Sequence, residues 1–183
     1  MPVTQALLIA NVVAFLLQTS SDLPLLQWFA LWPLGPLFEP WQTVTYSFLH
    51  GGIAHIVFNM FALYTFGAGV ERLFGSRFYA LYYFACVVSA ALCHLVFTSV
   101  AGGPPIPTVG ASGGVYGLLL AYGLYFPHHR VMLLIPPIPM NARTLVFVFA
   151  ALELFFGVTG TAAGIAHFAH LGCMLGGWLM IEY

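Results

Sequence analysis

The chain has 183 residues, of which 61% are hydrophobic and 5% charged, with a formal net charge of −1. Soluble domains carry about 25% charged residues, and a soluble fold of this length has too little polar surface to cover so much apolar area. The composition excludes a water-soluble domain, and the lack of lysine with only four arginines excludes a nucleic-acid-binding surface.

A membrane-spanning helix needs roughly 20 mostly apolar residues. The sequence predicts six such spans, at about 3–20, 51–70, 78–99, 112–126, 144–158 and 164–181. The expected fold class is an all-α polytopic membrane protein forming a single domain over 1–183, since no polar stretch is long enough for a second. The first span lacks a basic n-region and an A-x-A site, so it reads as a retained span rather than a signal peptide. No internal repeat is visible, which argues against an inverted-repeat transporter.

The loop at about 21–46 contains "LLQWFALWPLGPLFEPW" and three of the four tryptophans. Tryptophan favours the membrane–water interface, where its ring is buried and its N–H is wet. The loop is expected to lie in the outer headgroup region, either as a simple anchor or as a brace over a site beneath it. Arg72 and Arg77 follow span two, and Arg130 and Arg143 flank the loop between spans four and five. Basic residues stay cytoplasmic, so both termini are expected inside. Loops "AGGPPIPTVG" and "PHHRVMLLIPPIPMNAR" carry prolines that cannot continue a helix. Cys86, Cys93 and Cys173 read as small buried hydrophobes rather than a disulfide set.

Polar groups at membrane depth are costly and mark candidate sites. Span six enters from outside near Gly164, which puts His170 roughly 9 Å down. Span four, Ser112 to Phe126, covers only about 22 Å of a core about 30 Å thick. With its inner end fixed by Pro127 and Arg130, Ser112 falls roughly 8 Å below the outer surface, level with His170. Irregular backbone at Thr108–Ala111 is tolerated there only beside protein or a wet cavity. Span two adds His50, His55 and Asn59, the last two at i and i+4 on one face. A serine, an imidazole base and further donors suit nucleophilic acyl transfer.

Gly110, Gly113, Gly114 and Gly117 flank the serine, and Gly172, Gly176 and Gly177 follow the histidine. Small residues allow close helix packing, so spans four and six are expected to meet along these glycines. On the glycines alone, Ser112 reads equally as a helix N-cap. Among seven histidines, His167 is the rival base, one turn from His170. His94 reads as a satisfied buried histidine, and His128 and His129 as solvated cytoplasmic loop residues. Glu153 reads as a hydrogen-bonded structural acid, and Glu71 as a local partner of backbone or arginine. A haem or metal protein is the other reading of so many histidines. However, His50 and His55 are five apart and His167 and His170 three, so no facing i/i+4 pair emerges. No cofactor or metal is expected.

At this point the chain resembles the rhomboid intramembrane serine proteases over about 41–181. "GASGGVYG" is similar to the family's G-x-S-G nucleophile motif, and "HGGIAHIVFNM" to its H-x4-H-x3-N pattern. "AHLGCMLGG" is similar to its span-six histidine with following glycines, and "GAGVERLFG" to a further Gly67-x3-Glu71-x3-Gly75 pattern. The resemblance implies a six-helix rhomboid-like bundle with a Ser112–His170 dyad and no acidic third member. It implies an oxyanion hole from His55, Asn59 and the Ser112 backbone N–H. Gly110 would admit the turn at the nucleophile, Tyr116 would pack on His170, and His50 would be supporting. The implied substrates are single-span or polytopic membrane proteins within the lipid bilayer of a prokaryotic inner or plasma membrane, cut near the extracytoplasmic face. Two departures stand out: Gln42 follows Trp41 where the family often has arginine, which implies a looser hold on headgroups, and Cys173 replaces a glycine. The alternative is a catalytically inactive relative that binds membrane segments, but such proteins lose the serine or histidine, and both are present here.

Overall fold

The computed structural model describes residues 1–102, 106–132, 137–159 and 164–182. Pro104, Pro105 and Pro136, read above as helix breakers, lie outside the described residues. The elements are α1 (Pro2–Ser20), α2 (Leu25–Phe29), α3 (Gln42–Thr45) with a 3-10 turn at Tyr46–Phe48, α4 (Ile53–Phe74) and α5 (Ser76–Ala101). They continue with α6 (Ser112–Tyr125), β1 (Arg130–Met132), β2 (Pro139–Asn141), α7 (Ala142–Thr159) and α8 (Gly164–Glu182). The protein is an integral membrane helical bundle. Among the described residues, α1, α4, α5 and α7 are long and apolar enough to cross a bilayer by length and composition. The 14 residues of α6 span only about 21 Å, which is the shortness expected of the helix that carries Ser112.

The all-α expectation needs one correction. The loop between α6 and α7 contains a two-stranded antiparallel ribbon with Val131 opposite Met140. Pro139 sits at its end, where an edge position costs no ladder hydrogen bond. The flanking backbone is tied by Ala142 N–H to the His129 carbonyl, 2.9 Å.

Helix α5 is the centre of the bundle. Tyr79, Tyr82, Tyr83, Cys86, Val87, Ala90 and Ala91 are all buried along it, at the i, i+3, i+4, i+7 spacing of one helix face. Helices α6 and α8 meet, as the sequence led us to expect, but their glycine stripes make room for this helix rather than for each other. A methyl on Gly114 would fall 2.3 Å from the Tyr83 ring, and one on Gly117 2.3 Å from the Cys86 sulfur. Gly172 faces Cys93, Gly176 faces Ser89 and Gly177 faces Tyr82 in the same way. The side chains of α5 are thus the knobs for which both helices leave room.

The Gly67-x3-Glu71-x3-Gly75 pattern ties together the start of α1, the end of α4 and the start of α5. Gly67 makes room for the Tyr79 hydroxyl, which a methyl would approach to 2.6 Å. Gly75, at φ +73, turns the chain directly from α4 into α5, a conformation that costs glycine least. Glu71 meets backbone as expected, but that backbone belongs to α1 rather than to its own neighbourhood. Its buried carboxylate accepts from Val3 N–H (3.0 Å), Thr4 N–H (2.9 Å), Thr4 Oγ1 (2.7 Å) and Ser76 Oγ (2.7 Å). The first two are donors that the N-terminus of α1 leaves without intrahelical partners, and the negative charge suits that helix end.

The first loop folds over the end of the bundle where α6 begins, pairing with the segment before Ser112. Leu31 and Thr108 exchange backbone hydrogen bonds of 3.0 and 2.9 Å. Gln42 is fully buried, with its amide donating to the Leu37 carbonyl (3.0 Å) and its Oε1 accepting from Trp32 N–H (3.3 Å). It pins the loop from within.

Candidate active site

Ser112 is the first residue of α6, where first-turn N–H groups lack intrahelical acceptors and the helix dipole is positive. The chain reaches it through Gly110, whose φ of +128 lies outside the range of L side chains. Gly110 N–H donates to the Tyr46 carbonyl (3.0 Å), and Tyr46 Oη donates to the Val87 carbonyl on α5 (2.9 Å). Tyr46 and the Leu31–Thr108 bridge together hold the turn before the serine.

His170, on α8, places Nε2 2.8 Å from Ser112 Oγ. Tyr116, four residues after the serine on α6, lies flat against the imidazole, with ring centroids 4.3 Å apart and planes at 7°. The rival His167 is paired instead through its Nδ1 with Glu153 Oε2. His55 Nδ1 accepts from Gly51 N–H (3.2 Å), so the neutral ring carries its proton on Nε2. That nitrogen lies against Gly110: a methyl there would be 2.8 Å from His55 Nε2 and 3.7 Å from Ser112 Oγ. Asn59 donates one amide hydrogen to the His55 carbonyl (2.9 Å), leaving the second free by the chemistry of the group. A cavity of ≈ 440 Å³ between α4, α6 and α7 is lined by His55, Asn59, Ser112, Tyr116, Phe149 and His170.

His50 is fully buried, with its ring edge-on to His55 at 5.1 Å. Gln18 of α1 clasps its backbone through both amide atoms, at 2.7 and 3.1 Å. Neither ring nitrogen has a hydrogen-bond partner among the described residues. Burial, with a smaller contribution from His55, pushes the imidazole down to about 4. His94 is also buried, with no partner for either ring nitrogen among the described residues.

Glu153, on α7, is hydrogen-bonded, as the sequence led us to expect. Its carboxylate is buried and accepts from Tyr116 Oη and contacts His167 Nδ1. Oε1 lies 3.1 Å from His170 Nδ1, at ion-pair distance but off the direction of a hydrogen bond. Glu153, His167 and His170 bring three ligand-type atoms within 4.8 Å of one another. This is the one grouping among the described residues with the donors for a metal. Its carboxylate oxygens already face two imidazoles and a phenol.

The rhomboid domain model matches residues 37–183. The chain belongs to the rhomboid family. It is 33% identical over 140 residues to rhomboid protease GluP of Bacillus subtilis, covering 76% of this chain and 25% of that protein. It is 32% identical over 124 residues to rhomboid protease GlpG of Klebsiella pneumoniae, covering 66% of this chain and 42% of that one. A zebrafish (Danio rerio) relative, presenilin-associated rhomboid-like protein A, is 33% identical over 139 residues, covering 75% of this chain and 36% of the relative. This rhomboid chain therefore aligns with less than half the length of each of these relatives.

Proposed function

We propose that this chain is a serine endopeptidase that cleaves membrane-spanning segments within the bilayer. The observation that carries the proposal is the 2.8 Å contact between His170 Nε2 and Ser112 Oγ, at a helix N-terminus that opens into a cavity. His170 takes the serine proton as Ser112 attacks a peptide carbonyl. The oxyanion forms beside His55 Nε2–H, the free Asn59 amide hydrogen and the Ser112 N–H, and the α6 dipole favours its charge. His170 gives its proton to the leaving amine, and water then releases the acyl-enzyme.

The chain crosses the membrane six times with both termini cytoplasmic, in our reading, and the site opens to the extracytoplasmic side. The four arginines flank the inner loops, which supports that orientation. Substrates are membrane proteins whose helices unwind locally, because a helical carbonyl is already hydrogen-bonded. The cavity between α4 and α7 supports lateral access for such a segment.

A fluorophosphonate probe is expected to label wild-type protein at Ser112 and not Ser112→Ala. The Ser112→Ala and His170→Ala variants are each expected to lose at least about a thousandfold in cleavage of a single-span substrate. Labelling at another residue, or full cleavage by either variant, would remove the assignment. Probe-negative wild-type protein that still binds membrane segments would mark the inactive-relative alternative.

A further inference from the structure

We infer that Glu153 is a positioning residue for the Ser112–His170 pair, forming with them a serine–histidine–carboxylate array across three helices. The inference rests on the proteolytic reading above. The two nitrogens of His170 face opposite partners. Nε2 meets Ser112 Oγ at 2.8 Å, and Nδ1 meets Glu153 Oε1 at 3.1 Å. An imidazole that must accept at Nε2 has to carry its resting proton on Nδ1. A carboxylate beside Nδ1 selects that tautomer and stabilises the imidazolium, without taking the proton itself.

The surroundings of Glu153 hold it in this role. A carboxylate in an apolar bundle is expensive unless its oxygens are satisfied. Here Oε1 accepts from Tyr116 Oη, and Oε2 is paired with His167 Nδ1. Tyr116 in turn stacks on the His170 ring. The same tyrosine therefore fixes the ring plane by its face and the carboxylate by its hydroxyl. His167, on α8 one turn from His170, anchors the second oxygen, so Glu153 is tied to both helices of the reacting pair.

The proton balance is simple. When Ser112 Oγ attacks, its proton moves to His170 Nε2, and the ring becomes an imidazolium with protons on both nitrogens. The positive charge then lies 3.1 Å from Oε1, and a small ring rotation brings Nδ1–H into line, as catalytic hydrogen bonds commonly tighten after substrate binds. The Nε2 proton leaves with the amine, and the Nδ1 proton never transfers.

The test measures kcat and KM for a single-span substrate in detergent with wild type, Glu153→Gln, Glu153→Asp and Ser112→Ala. Rates are normalised to the folded fraction from size exclusion. Glu153→Gln keeps the shape but loses the charge and can donate where an acceptor is needed. It is expected to lower kcat by about 10- to 100-fold with KM within about twofold, because a wrongly set tautomer acts on the chemical step. Glu153→Asp is expected to recover part of that loss. A wild-type kcat in Glu153→Gln, or a loss that vanishes on normalisation, would overturn the inference while leaving the proteolytic reading intact. Cleavage by Ser112→Ala would instead overturn the reading beneath it, and this inference with it.

Discussion

Gly110 and His55 are in contact where no side chain fits between them. A methyl on Gly110 would sit 2.8 Å from His55 Nε2, and the backbone φ of +128 is itself closed to L residues. The glycine therefore serves two ends at once, turning the chain into Ser112 and letting His55, the proposed oxyanion donor, approach the proposed nucleophile.

Gly110→Ala is accordingly expected to cost about 1–3 kcal/mol of stability from backbone strain. It should also lose most cleavage activity, because the added methyl displaces His55. Gly52→Ala is the control, since nothing lies within 4 Å of its added methyl. Thermal unfolding in detergent and initial cleavage rates measure both effects. A Gly110→Ala protein with wild-type rate would remove His55 from the oxyanion hole.

Glu71 separates stability from chemistry. Its carboxylate accepts hydrogen bonds from Val3, Thr4 and Ser76, and none of these residues lines the reactive cavity. Glu71→Gln sets an amide hydrogen against buried donors, and is expected to destabilise by about 2–4 kcal/mol. Its kcat per folded molecule should remain that of wild type. Denaturation midpoints and active-site titration check the two halves, and an unchanged midpoint would deny Glu71 its capping role.

His50 predicts an acid-side loss of stability. Its imidazole is held down to about 4 from an ordinary 6.5. Between those values the unfolded chain binds a proton that the folded protein refuses, so the stabilisation present above pH 6.5 drains away as pH falls toward 4. A His50→Gln variant should show a shallower fall in melting temperature over that window, and a parallel fall in both proteins would assign the acid sensitivity elsewhere.

Much of this architecture was legible in the sequence. The boundaries of the apolar runs lie close to those of the long helices, because Gly, Pro and charge interrupt them. Ser112 and His170 could be matched by depth, since a short helix fixes the height of its first residue. What could not be read was direction. Nearly every side chain of α7 is apolar, so no amphipathic face told where Glu153 points. The glycine stripes announced close packing but not the partner, and α5 supplied that partner through tyrosine, cysteine and serine side chains that look unremarkable in an apolar run. Glu71 was misjudged because all its donors but Ser76 lie 67 and 68 residues away. The ribbon at β1 and β2 was masked by the prolines around it.

The central position of α5 has a mechanical consequence. None of the residues assigned to the proposed chemistry lies on α5, yet each element that carries one of the proposed dyad is registered to it. Helix α6 is set by Gly113, Gly114 and Gly117 against its side chains, and α8 by Gly172, Gly176 and Gly177. The turn before Ser112 is set through Tyr46 and the Val87 carbonyl. The serine–histidine distance is thus the difference between two heights measured on one common ruler. Lengthening a side chain anywhere along that ruler, at Ala90 or Ser89 for example, shifts one reading without the other and opens the pair from a helix that takes no part in the reaction.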